Sequence, residues 1–163
     1  MMSIDFSLTP ELEEIRARIR VFIDDVVKPG EALIEGHGEN EPQEGEERIE
    51  TLVSMRKQAF SEGLWLPHMP EEWGGMGLGH VQLAMVQAEA ARSRYGPWVL
   101  NCQAPDEGNM HTLLHWGTEE QLEKYLKPLC EGRATSCFAM TEPEVAGSDP
   151  TLIQTNGYED GDE

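Results

Sequence analysis

A mainly α protein, a helical bundle leading into the first strands of a β region, is what this sequence predicts. Three observations carry that reading. Apolar residues recur at spacings of three and four through most of the chain up to Gly132. Proline and glycine stand between these stripes as punctuation. Beyond Gly132 the pattern changes to short apolar runs of the kind strands use. The expected division is therefore an α-helical domain over residues 1–132 and the opening of a β domain over 133–163. A chain of 163 residues can hide roughly 68–70% of its unfolded surface, enough for a real core.

The first helix is expected over about Pro10 to Val27. Thr9 caps it, Pro10 takes its first position, and Leu12, Ile15, Ile19, Phe22 and Val26 form one stripe. Lys28-Pro29-Gly30 should end it. Glu31 to Glu50 is glutamate-rich and broken by Gly36, Gly38, Pro42 and Gly45, which predicts an exposed, mobile connection. A second helix resumes near Glu46, with Ile49, Leu52, Val53, Arg56 and Phe60 expected inward and Gly63 at its end. Leu64 to Gly79 holds two tryptophans and several glycines, and a loop this apolar should pack down. A third helix is expected from His80 to Arg94. A fourth follows between Pro105 and Trp116, with Met110, Leu113 and Leu114 inward. Thr118-Glu119-Glu120-Gln121 is a capping box that opens a fifth, closed by Pro128. Strands are expected at Thr135–Met140 and Leu152–Thr155.

Charge excludes some functions. With 31 acidic against 12 basic residues the formal net charge is −19, so nucleic acid and anionic membranes are poor partners. No apolar run reaches membrane-spanning length. The N-terminal residues have neither a basic region followed by an apolar core nor an Arg-rich character. Three cysteines, Cys102, Cys130 and Cys137, make no CxxC pair and read as free, mostly buried thiols of a reducing compartment. A cytoplasmic address is the resulting expectation.

The chemistry concentrates in Ser136 to Asp149, Ser-Cys-Phe-Ala-Met-Thr-Glu-Pro-Glu-Val-Ala-Gly-Ser-Asp. Thr141 brings a hydroxyl to the end of an apolar run. Pro143 turns the chain away. Gly147 and Ser148 offer unhindered N–H groups and a second hydroxyl, an anion nest. Together they suit a flat ring with polar edges and a phosphate nearby. On spacing alone a plain strand–turn–strand, in which Asp149 ties its own turn, fits better. His111 and His115 stand one helical turn apart, as metal ligands can, but without the glutamate of an HExxH site they read as two histidines on a partly exposed face, and no metal is expected. Cys137 reads as a packed thiol rather than a nucleophile, and the four tryptophans as core and loop anchors.

Phe138-Ala139-Met140-Thr141-Glu142-Pro143 with Gly147-Ser148-Asp149 resembles the flavin-binding signature of the acyl-CoA dehydrogenase family. Pro70-Glu71-Glu72-Trp73-Gly74-Gly75 resembles a loop of that family. Asn101 to Asp106 with Gly108-Asn109-Met110, and Trp116 to Gln121 through Lys124 to Leu129, look like its long-chain-type branch. The resemblance implies FAD as cofactor, with Phe138, Met140 and Thr141 along the flavin ring, the Thr141 hydroxyl near N5, and Gly147 and Ser148 near the pyrophosphate. It places Ser148 and Asp106 toward an acyl-CoA substrate. The activity it implies is α,β-dehydrogenation of acyl-CoA thioesters, with an electron-transferring flavoprotein as acceptor and a homo-oligomeric parent enzyme. The family's catalytic glutamate belongs to a C-terminal helical domain, so no residue of this chain is expected to be the catalytic base. The chain is expected to be an incomplete N-terminal portion, inactive alone. A subunit or acidic helical module completed by a partner chain is the alternative.

Overall fold

The computed structural model describes residues 8–37 and 41–161. Thr9 opens α1 (Pro10–Phe22), its hydroxyl accepting from the Leu12 amide at 3.4 Å. The expected stop at Pro29 does not occur. A π-helical turn over Ile23–Val27 leads directly into α2 (Lys28–Glu35), and the rod ends only at Gly36, in the left-handed region at φ 71°. Proline has no N–H and its ring crowds the carbonyl four residues back. The wider turn, with the Lys28 amide bonded to the Ile23 carbonyl, lets the helix pass that point without breaking.

The same device recurs. The Thr118 and Gln121 capping box is formed, with bonds of 2.9 and 3.3 Å, and opens α7 (Glu119–Gln121). Pro128 should close this helix. Instead a π-helical turn over Leu122–Leu126 carries it into α8 (Lys127–Cys130). Both expected stops fail at a Lys-Pro pair that directly follows a π-helical turn.

Helix α3 (Gly45–Ser61) is rotated from the expected face. Arg56 is buried and Leu52 packs on the core as expected, but Met55 and Ala59 are the other buried residues, whereas Ile49, Val53 and Phe60 are exposed. Arg56 sets the rotation. Its guanidinium lies over Trp98, 4.1 Å from the ring centre, and over Trp65 at 4.7 Å. Trp98 sits in α5 (Gly96–Val99), and Trp65 in the loop after α3. That loop packs down as expected, with Leu64, Leu66 and Met69 fully buried. Helix α4 (His80–Ala90) crosses α1, and Arg20 grips the buried Glu89 with two bonds of 3.0 and 2.5 Å. The acidic connection is partly anchored as well. Glu31 and Glu35 belong to α2 and accept from the Ser93 and Tyr95 hydroxyls. Residues 38–40 of that connection lie outside the described residues. Helix α6 (Asp106–Trp116) puts Met110 in the core.

No strand is present among the described residues. Residues 134–142 and 153–160 form no regular element, and a short 3-10 turn over Pro150–Leu152 lies between them. A strand is defined by a paired neighbour rather than by its own sequence, and the two stretches expected as strands do not pair with each other or with the helices.

Arg56 should therefore be a stability determinant. Arg56→Ala removes the cation from two desolvated indoles and a donor from the Trp98 carbonyl, and should lower the unfolding free energy by about 2–4 kcal/mol in denaturant titration. Arg56→Lys should not restore it, because an ammonium cannot lie flat between two rings. A loss below about 1 kcal/mol for Arg56→Ala would contradict this placement.

Candidate functional site

The site is a segment presented by the helical body. Asn101 fixes the geometry behind it. Its backbone is left-handed at φ 56°, a conformation in which Asn is enriched. Its side chain donates to the Leu129 carbonyl at 3.0 Å and accepts from Arg56 at 3.4 Å, while its own carbonyl meets His68 Nε2 at 3.1 Å. That contact makes Nε2 the protonated nitrogen of His68. Nδ1 then accepts from His111 Nε2 at 3.2 Å. Burial holds the His68 imidazole down to about 4, so it is neutral at neutral pH. His111 thus pairs inward with His68, and its ring stacks on that of His115 at 6.3 Å. Among the described residues no group of three or more ligand side chains is placed to hold a metal.

The chain leaves this body at Gly132. Its φ is 68°, and a Cβ there would stand 2.8 Å from the Trp65 ring. The Arg133 and Ala134 amides both donate to the Pro128 carbonyl. Ser136 makes the next attachment. Its amide donates to Asp106 Oδ1 at 2.6 Å, its hydroxyl to the same oxygen at 2.5 Å, and Asn109 donates to that hydroxyl at 2.8 Å. An apolar cleft of about 380 Å³ opens alongside, lined in part by Leu113, Tyr125, Leu129 and Ser136.

From Cys137 to Thr141 the chain is exposed, and its backbone amides donate to no described group. Phe138 is 63% exposed and Met140 41%. Thr141, Gly147 and Ser148 are exposed as well, and the place of a Gly147 Cβ is open space. Cys137, expected as a packed thiol, is exposed, because no second strand covers it; Cys102 and Cys130 are buried. Asp106, expected toward a substrate, is buried with both carboxylate oxygens engaged, Oδ2 accepting from Gln103 at 2.6 Å.

Two turns shape the loop after Thr141. Asp149 ties its own turn, accepting from the Thr151 amide at 3.0 Å and hydroxyl at 2.6 Å. Glu142 closes the larger loop. Its carboxylate accepts from the Gln154 and Thr155 amides at 2.9 and 2.8 Å and from the Thr155 hydroxyl. The spacing of these residues carries no signal of that closure, nor of Ser136 meeting an aspartate 30 positions away.

The acyl-CoA dehydrogenase N-terminal domain family matches residues 9–133. The chain belongs to the acyl-CoA dehydrogenase family. Acyl-CoA dehydrogenase family member 11 of Gallus gallus is 37% identical over 91% of this chain and 19% of its own length. The Homo sapiens protein of the same name is 36% identical over 96% of this chain and 20% of its own. Among solved structures, that of "a putative acyl-CoA dehydrogenase from Mycobacterium abscessus" superposes with a TM-score of 0.73 at 35% identity, covering 90% of this chain and 38% of the other. The chain thus spans about a fifth of the length of these vertebrate acyl-CoA dehydrogenases.

The Glu142 closure carries a pH dependence. Bonds from the Thr155 hydroxyl and the Gln154 and Thr155 amides hold its carboxyl below the ordinary 4.5. A depressed carboxylate contributes stability that is complete above its unfolded value and fades as pH falls through the folded one. The Gln154 and Thr155 amide resonances should stay fixed from neutral pH down to about 5 and move only below about 4.5. A transition above pH 5 would contradict the closure.

Proposed function

We propose that this chain supplies the N-terminal helical domain, residues 1–132, and the start of the cofactor-bearing region, residues 133–163, of an FAD-dependent acyl-CoA dehydrogenase. The observation that carries the reading is the exposed Cys137–Thr141 segment, with free backbone donors and two apolar side chains held out from a packed body. These residues fit the isoalloxazine group. Phe138 and Met140 offer apolar contact that the protein itself leaves uncovered. The free amides and the Thr141 hydroxyl offer donors for the ring's polar edge. Gly147, with nothing where a Cβ would stand, and Ser148 offer room and donors for a pyrophosphate. Bound FAD supplies the hydride acceptor for α,β-dehydrogenation of an acyl-CoA thioester.

The chain's own part in that chemistry is to hold and to polarise. Donors aimed at the ring edge favour the negative charge that reduction brings. Ser148 is assigned to the substrate side, while Asp106 acts from behind the segment. Removal of the substrate's α-proton is assigned to none of these residues. An electron-transferring flavoprotein is the proposed acceptor, since a reduced flavin must pass its electrons on.

Titration of the chain with FAD, followed by flavin fluorescence, tests the assignment. Saturable quenching is expected. Thr141→Val, which keeps shape and loses the hydroxyl, should weaken it about 3- to 10-fold, the worth of one hydrogen bond. Absence of saturable binding, or equal affinity for the variant, would overturn the roles of Thr141 and its segment.

A further inference from the structure

Asp106 is 2% exposed, and no cation lies within ion-pair distance of it among the described residues. Burying an unpaired carboxylate is costly unless hydrogen bonds and local dipoles compensate. Three donors and the N-terminal turn of α6 do so here, and two of the three donors belong to Ser136. A serine that gives amide and hydroxyl to one carboxylate oxygen is fixed in position and rotation together. Beyond Ser136, no described residue of the segment hydrogen-bonds to the helical body. The anchor therefore stands five residues before Thr141, a reach of at most about 18 Å. A slip of one residue there would bring Met140 or Glu142 to the place of Thr141.

We infer that Asp106 is a positioning residue, which through Ser136 sets where the motif segment leaves the helical body and so where Thr141 stands toward the flavin. The inference rests on the flavin reading above for its consequence, and on the Asp106–Ser136 bonds alone for its geometry. It gives Asp106 no contact with substrate.

The orphan atom beside it sharpens the test. Gln103 Oε1 is buried without a hydrogen-bond partner, while Gln103 Nε2 donates to Asp106. In Asp106→Asn the Gln103 amide can turn over, so that its oxygen accepts from the new amide and Asn Oδ1 still receives Ser136. Asp106→Ala offers nothing to either. Three variants are compared, Asp106→Ala, Asp106→Asn and Ser136→Ala, the last removing one hydroxyl and leaving the core untouched. NMR of the Ser136 amide and FAD titration are the readouts, with acyl-CoA titration of the FAD-loaded chain beside them.

Asp106→Ala should release the Ser136 amide to free exchange and weaken FAD binding about 10-fold, and Ser136→Ala about 3-fold. Asp106→Asn should keep the amide protected and return FAD affinity to within about 3-fold of wild type. An unmoved Ser136 amide in Asp106→Ala would overturn the anchor. A released amide with unchanged FAD affinity would overturn its consequence. Loss confined to acyl-CoA affinity, without rescue by Asn, would make Asp106 a substrate contact instead. If wild type takes up no FAD, the functional reading fails, and the amide comparison still decides whether Asp106 holds the segment.

Discussion

A guanidinium held between two indoles organises this protein. Arg56 is buried, and burial pushes its pKa down to about 10 against the opposing attraction of Asp106. It stays charged at neutral pH, so the fold must compensate the hydration that the buried cation loses. Trp65 and Trp98 do so with their faces, and the Trp98 carbonyl and Asn101 side chain with oxygens. They come from two stretches of chain, the loop after α3 and α5 with the turn that follows it. One side chain thereby fixes the rotation of α3, the fold of the loop after it, and the turn that follows α5.

That arrangement reaches the site through a few bonds. Trp65 donates to the Cys130 carbonyl at 2.8 Å, and Asn101 donates to that of Leu129, which sets the end of α8. Gly132 then passes beneath the Trp65 ring where no side chain fits. Two amides on the Pro128 carbonyl and the Asp106–Ser136 pair carry the geometry onward. The helical body is thus a mount. It is dense and apolar where it holds itself and polar where it grips the departing chain. The motif segment leaves its donors and its apolar side chains exposed. Leaving them solvated costs little in water, whereas burying unpaired donors would be expensive.

Some of this is legible in the sequence and the rest is concealed, for physical reasons. Helix starts at Thr9 and Thr118 are readable because a cap is a local contact across three residues. The ends at Pro29 and Pro128 are not, since a π-helical turn before each proline keeps the helix going, and core packing rather than the dipeptide decides whether that turn is made. The face of α3 is misleading because Ile49, Val53 and Phe60 count as apolar in the stripe, yet Arg56, expected inward with them, takes its position from Trp65 and Trp98. Phe60, apolar and expected inward, is exposed and meets Trp65 only edge-on, with ring centres 6.3 Å apart. The strands fail because pairing is a property of two segments. Although the family match itself rests on residues 9–133, the residue types of the motif are visible in order at the site. Their support is not, because Asp106 with Ser136 and Glu142 with Thr155 join positions that no local pattern relates.

Hydrogen exchange of the chain with and without FAD, resolved to single amides, tests the central claim most directly. The account predicts new protection at Cys137–Thr141 and at Gly147–Ser148, with α1 through α6 unchanged. Protection spread over the helical body, or appearing there and not at the segment, would contradict it.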